Sequence, residues 1–372
     1  MRIGVPKEIK AHEYRVGLTP ESASELIREG HDVLVERNAG AGIDIADAAY
    51  EAVGASIADT AGEVFGSCDL IVKVKEPQLS ECELLRQGQT LFTYLHLAAD
   101  KPQAVALCSS GCWAIAYETV TDTAGRLPLL RPMSEVAGRM SIQVAADALQ
   151  KNRGGRALLL GGVPGVPAAK VVILGAGVAG AAAAQIAIGM RADVTIFDKS
   201  TARLAEIDAL YGERLNTAFA TRSATEAAIY DADVVIGAVL VPGASAPKLI
   251  KRDMLAQMKS GAVIVDISID QGGCFETSTP TTHDDPTFIV DGVVHYCVAN
   301  MPGAVARTST YALNNATLPF ALQLANSGLR DALQGNVHLR NGLNVADGHI
   351  AHATVAADLG MPYVPPAALA GP

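Results

Sequence analysis

Residues 170–198 read KVVILGAGVAGAAAAQIAIGMRADVTIFD, and this stretch decides the fold. A β-branched apolar run, Lys170 to Leu174, leads into Gly175-Ala176-Gly177-Val178-Ala179-Gly180 and then into a helix-forming run of small residues. Strand, glycine loop, helix and a carboxylate closing the next strand, Asp198, make up the dinucleotide-binding fingerprint, in which the acidic residue falls about 20 positions on. The first glycine permits the tight turn, the second lets backbone approach a pyrophosphate, and the third allows close helix-to-strand packing. The phosphates are expected at the helix N-terminus. Asp198 can bind both ribose hydroxyls and repels a 2′-phosphate, so NAD is expected in preference to NADP, with Lys199 and Arg203 softening the exclusion. A plain Gly-rich turn, FAD or a regulatory nucleotide are the other readings of this loop.

Outward from the loop, short apolar strands alternate with helical patterns. The second half of the chain continues with Asp193 to Phe197, Asp233 to Gly237, Val263 to Ile267 and Val294 to Val298. The first half shows the same alternation at Arg2 to Val5, Asp32 to Val35, Leu70 to Val74, Leu91 to Leu95 and Ala114 to Tyr117. Alternation of this kind predicts right-handed βαβ units and parallel sheets. Between the two series, Ser134 to Lys151 predicts a long connecting helix with Ser134 as its N-cap. The pattern turns helical again from Ser309 to Leu329, and Val345 to Leu359 predicts a last amphipathic helix. The expected architecture is α/β, two doubly wound Rossmann-like domains with a cleft between them, linked by a long helix. Residues 1–130 plus 308–372 are expected to form a discontinuous substrate domain, and residues 131–307 the NAD-binding domain.

Bulk properties exclude other classes. The net charge of -10 is spread along the chain with no basic stripe, which argues against nucleic acid as a partner. No apolar run approaches the length of a membrane span and Met1 is followed by a charged segment, so no membrane association and a cytoplasmic location are expected. Of Cys68, Cys82, Cys108, Cys112, Cys274 and Cys297 only Cys108 and Cys112 lie close together, with no partner pair of metal-ligand spacing; reduced thiols and no metal are expected.

Ligands of open α/β sheets gather beyond the carboxyl ends of the strands. In the first half those positions carry Arg15, Lys75, His96 and Glu118. Arg donates two parallel hydrogen bonds to a carboxylate, and Lys offers a point charge to a carboxylate or ketone oxygen, so together they describe an acid-binding pocket. His96 suits proton transfer near neutral pH, while Glu118, His283 and His295 read as structural. In the second half Asp270 stands just past a buried strand, where a carboxylate can hold water or stabilise positive charge on nitrogen. Each of these also has an ordinary structural reading, as a surface ion pair, a solvated strand-end charge or a helix cap.

The runs MRIGVPKEIKAHEYRVGLTP, KVKEP, LFTYLHLAA, AYETV, PMSEVAGRM, GGVPGV, VVILGAGVAG, VDISIDQGGCFE, PTTHDDPTF and YCVANMPGAV together resemble the alanine dehydrogenases, which share their fold with the first component of proton-translocating NAD(P) transhydrogenase. The resemblance covers essentially the whole chain. It implies Arg15 and Lys75 as substrate-carboxylate ligands, and His96 and Asp270 as the catalytic pair. It implies cofactor contacts from Ser134, Gly175, Gly177, Val178, Ala179, Gly180, Asp198, Arg203, Val239 and Leu240. Further contacts are implied from Ile267, Ser268, Ile269 and Asp270, and from Val298, Ala299, Asn300 and Met301. Thr279 stands where some relatives carry a basic residue. The implied activity is reversible NAD-dependent deamination of L-alanine to pyruvate and ammonium, with glyoxylate as a second acid to be aminated, by a homohexamer. The alternative is a hydride-transferring NAD-binding component of a transhydrogenase. A saccharopine dehydrogenase would need a wider pocket, and a catalytically dead NAD sensor would lose the strand-end cluster.

Overall fold

The computed structural model describes residues 1–239 and 247–370. The chain divides into two compact units, Met1–Met133 with Val305–Pro372, and Ser134–Ala304. The strands of the first unit are β1 (Arg2–Val5), β2 (Asp32–Glu36), β3 (Ser56–Ala58), β4 (Leu70–Val72), β5 (Thr90–Thr93) and β6 (Trp113–Ala116). The second unit holds β7 (Lys170–Leu174), β8 (Asp193–Asp198), β9 (Asn216–Phe219), β10 (Val234–Gly237), β11 (Val263–Asp266), β12 (Thr287–Val290) and β13 (Val293–Tyr296). The chain then returns to the first unit with β14 (Leu343–Ala346) and β15 (His349–Ile350).

The first sheet runs β15-β14-β6-β5-β4-β1-β2-β3. Strands β1 to β6 are parallel throughout. Parallel strands carry helices on both faces, which is why β4, β5 and β6 bury every residue and read as unbroken apolar runs. Helix Pro20–Arg28 shows how a covering element is set: Pro20 opens it, and the Thr19 hydroxyl accepts the Ser22 N–H at 3.3 Å. Its buried Ala23 and Leu26 lie at helical spacing. Asn314, on helix Ala306–Ser327, accepts the Thr19 N–H at 2.9 Å and ties the returning chain to that cap.

The second sheet runs β12-β13-β11-β10-β7-β8-β9, parallel except for β12. Counting parallel strands alone, so that β13 is the sixth in the second unit, each sheet contains the doubly wound order 3-2-1-4-5-6, reversing direction between β1 and β4 in one unit and between β7 and β10 in the other. At such a reversal the loops diverge to opposite faces and leave a crevice at the strand ends.

Three expectations are corrected. Helix Arg131–Ala148 begins before Ser134, so Ser134 sits inside the helix and not at its N-cap. The segment from Val345 is not a helix at its start: β14 pairs antiparallel with β6, turns through Asp347 and Gly348 at φ 47° and 84°, and returns as β15. Helix Ala353–Leu359 follows. Edge strands β3, β9 and β12 also add to the expected set; they are short and partly exposed, so they lack the buried apolar run that marks the central strands.

Candidate active site

In the first unit the reversal between β1 and β4 places Arg15 and Lys75 on the two diverging loops. Arg15 is 2% exposed. Its Nε and Nη2 donate to the two oxygens of Glu13 at 2.7 and 2.5 Å, and its Nη1 donates to the Met133 sulfur at 3.1 Å. Burial works against the guanidinium charge, and the Glu13 carboxylate more than offsets it, so the group stays firmly cationic. The bidentate pair also fixes the plane of the fork.

Lys75 is 7% exposed, with its Nζ 3.8 Å from Glu76, which also pairs with Lys10. Burial raises the Glu76 carboxyl, but the positive field of Lys75, Lys10 and His96 prevails and holds it below the usual carboxylate range. His96 lies beyond β5 and is exposed. Its backbone is left-handed, φ 50° and ψ 35°, held by the Glu118 carboxylate, which accepts the N–H of Leu95 at 3.1 Å and of His96 at 2.6 Å. The imidazole stacks on the Tyr94 ring at 5.7 Å and 10°. Tyr94 is itself fixed by donation to the Leu129 carbonyl at 2.6 Å. The first sheet thus places Arg15, Lys75 and His96 past the carboxyl ends of the neighbouring strands β1, β4 and β5, with Glu118 shaping the backbone.

Sequence reasoning misses the charges behind them. Lys73 is fully buried between Glu8 at 3.2 Å and Glu81 at 2.7 Å. The available signal is the first lysine of KVKEP, two residues before Lys75.

In the second unit the glycine loop has the shape a dinucleotide needs. Gly175 has φ 100°, open to glycine alone among common residues. A Cβ at Gly180 would collide with the Gly175 carbonyl oxygen, whereas a Cβ at Gly177 would meet nothing within 4 Å. The loop is closed underneath and open above, so pyrophosphate can approach the backbone at the start of helix Val178–Gly189. Asp198 accepts the Ala176 N–H at 2.7 Å and the Ser200 N–H at 2.8 Å, and Arg203 Nε donates to the Ala176 carbonyl at 2.6 Å. Asp198 at the end of β8 and Arg203 on the following helix, Thr201–Tyr211, therefore both anchor the loop.

The remaining candidates of this unit converge on the same strand ends. The Ser268 hydroxyl donates to the Val239 carbonyl at 2.7 Å, and Asp270 accepts the Asn300 N–H at 3.3 Å, which joins 267–270 to 298–301. Gly138, one helical turn past Ser134, packs so tightly that a Cβ there would strike the Ala179 carbonyl, which puts that face of the helix against the loop. Leu240 lies outside the described residues. Asp266 is a second residue that the sequence reading misses: buried at the end of β11, it accepts from the N–H of Ser268, Cys274 and Phe275 and from the Ser278 hydroxyl, and so fixes the turn that carries Asp270. His295 is a buried core residue bonded to Thr277 and stacked on Phe288, its pKa lowered by burial.

Two family models match almost end to end: alanine dehydrogenase/PNT, N-terminal domain, over residues 4–137, and the C-terminal domain over residues 141–353. The chain belongs to the alanine dehydrogenase/PNT family. An alanine dehydrogenase of Halomonas elongata is 56% identical over 371 residues, covering 100% of both chains. A solved L-alanine dehydrogenase superposes with a TM-score of 0.93 at 49% identity, covering 97% of this chain and 99% of the other. A solved transhydrogenase from Sinorhizobium meliloti gives 0.79 at 26% identity, covering 95% and 99%. Within this alanine dehydrogenase/PNT chain, no helix among the described residues is long and apolar enough to cross a membrane, and none of those residues form a group of three or more His, Cys, Asp or Glu placed to hold a metal ion.

Proposed function

We propose that the chain is an L-alanine dehydrogenase, which interconverts L-alanine with pyruvate and ammonium using NAD. The observation that carries this reading is the strand-end set of the first unit: a buried arginine and a buried lysine at the sheet reversal, beside an exposed histidine on a held backbone. The far higher identity to alanine dehydrogenases than to the transhydrogenase supports the same choice over a hydride-transferring component. In this reading residues 1–130 plus 308–372 bind the substrate and residues 131–307 bind NAD, in a cytoplasmic homohexamer.

Arg15 and Lys75 hold the alanine carboxylate, Glu13 fixing the orientation of the first. NAD, when bound, supplies the hydride acceptor for the alanine Cα hydrogen. Gly175 and Gly177 would receive its pyrophosphate, Gly180 letting the helix pack close behind them, and Asp198 its ribose, with Ser134, Val178, Ala179, Arg203, Val239, Leu240, 267–270 and 298–301 completing the contacts. His96 takes a proton from the water that adds to the iminium carbon and returns one to the departing nitrogen, while Asp270 balances the positive charge on that nitrogen. In reverse the same groups aminate pyruvate, and glyoxylate fits as a smaller 2-oxo acid.

NADH formation from L-alanine and NAD at alkaline pH tests the reading, beside D-alanine, NADP and a Lys75→Ala control. Turnover selective for L-alanine and lost in the control supports it; NAD binding without turnover moves the chain to the transhydrogenase-like role. Asp198→Asn keeps an acceptor for Ala176 but removes the charge. It is expected to raise the KM for NAD by roughly ten- to a hundredfold and to make NADP turnover measurable, since a charged hydrogen bond is worth about 1.5–3 kcal/mol.

A further inference from the structure

Behind Lys75 lies a group of buried charges that the proposed chemistry does not use. Lys73, Glu8 and Glu81 are all buried, the lysine between the two carboxylates. Burying three charges contributes less to stability than an apolar group of the same volume, so the arrangement calls for another reason. Its geometry offers one. Glu8 uses one oxygen for the Lys73 ammonium and the other for the Val74 N–H at 2.7 Å. On the other side of the segment, the Tyr117 hydroxyl donates to the Lys73 carbonyl at 2.9 Å and the Thr93 hydroxyl to the Lys75 carbonyl at 2.9 Å. The Val74 carbonyl accepts the Tyr94 N–H at 3.2 Å. The backbone from Lys73 to Lys75 is gripped from both flanks, and Glu8 reaches it from the loop after β1, the loop that also carries Arg15.

We propose that Glu8 is a positioning residue: through Val74 and Lys73 it fixes where the Lys75 ammonium stands, and so sets the affinity for the substrate carboxylate. This rests on the reading of Lys75 as a carboxylate ligand. An ionised Glu8 grips through a charge-assisted bond, and a protonated one grips less tightly. Burial raises the Glu8 carboxyl to about 7, against the pull of Lys73, with Glu13 and Glu81 adding repulsion. Arg15 on the same loop and the Tyr117 hydroxyl beyond β6 face the same pocket. The native protein therefore already populates the neutral form near pH 7, and Glu8→Gln reproduces that form in a folded chain.

The experiment measures the inhibition constant of oxamate, an inert pyruvate isostere, for the full-length wild type and Glu8→Gln from pH 6 to 9, with kcat and NADH affinity alongside. At pH 9 the variant is expected to bind oxamate about tenfold more weakly, with kcat and NADH affinity within about twofold of wild type; at pH 6 the two proteins converge. Equal constants at pH 9, an offset that does not change with pH, or a parallel loss of NADH affinity overturns the proposal. Glu81→Gln gives an independent check: it removes a repelling carboxylate, so the midpoint of the oxamate pH profile moves to lower pH, and an unmoved midpoint overturns the proposal. Wild-type protein with no pyruvate turnover removes the reading of Lys75 and the role of Glu8 with it, whereas intact turnover with an unaltered variant removes the role of Glu8 alone.

Discussion

Replacing His96 with asparagine is expected to lower kcat by a factor of about 100 to 10,000, the range a positioned proton-transfer group supplies. Asparagine tolerates the left-handed backbone that His96 adopts, so the substitution removes the imidazole without disturbing the grip of Glu118 on Leu95 and His96. The side chain is exposed and its main contact is the Tyr94 ring, so the melting temperature is expected to stay close to wild type. NADH affinity, read by fluorescence titration, is expected to be unchanged, because the cofactor loop belongs to the other unit. A variant that keeps wild-type kcat removes His96 from the chemistry.

Lys73→Met is expected to produce the largest loss of stability. Glu8 and Glu81 then share a buried site without their common cation, and breaking a buried pair by removing one partner costs about 3–5 kcal/mol. At roughly 2–4 °C per kcal/mol, the melting temperature at pH 8 falls by on the order of 10 °C. The deficit is expected to shrink toward pH 6. Glu8 ordinarily titrates near 4.5 and is held up at about 7 in the fold. Lys73 pulls that carboxyl down, so its loss raises Glu8 further; as pH falls the variant's Glu8 takes up its proton before the wild type's does, which relieves part of the deficit. Adding Glu8→Gln to Lys73→Met removes one unpaired charge and is expected to restore part of the loss; a double variant no more stable than the single one at pH 8 contradicts this account.

What the sequence reveals of this fold follows how each element is stabilised. Strands such as β7 and β4 are legible because a strand covered on both faces carries an apolar run, VVIL in one and LIV in the other. NTAF is not, because edge strand β9 is half exposed and its residues carry no period. The segment LNVADGHI has apolar spacing that suits a helix, and also an Asp347–Gly348 pair that suits a two-residue hairpin. The positive φ angles of both residues show which signal prevails. For the candidate site, Arg15, Lys75, His96 and Asp198 are legible because strand ends are where ligands collect. Glu8, Glu13 and Asp266 are not, because each acts by gripping a neighbouring segment brought close only in the folded chain.

The pairing of β14 with β6 reaches across the whole of the second unit. Synthesis runs from the N-terminus, so residues 134–304 are made before β14, and until then β6 lacks its antiparallel partner. A bare parallel edge is a template for pairing with another nascent chain. Completion of the first unit's sheet thus depends on the last segment to be made: a chain cut short inside helix Ala306–Ser327 lacks β14 and leaves the β6 edge without its partner.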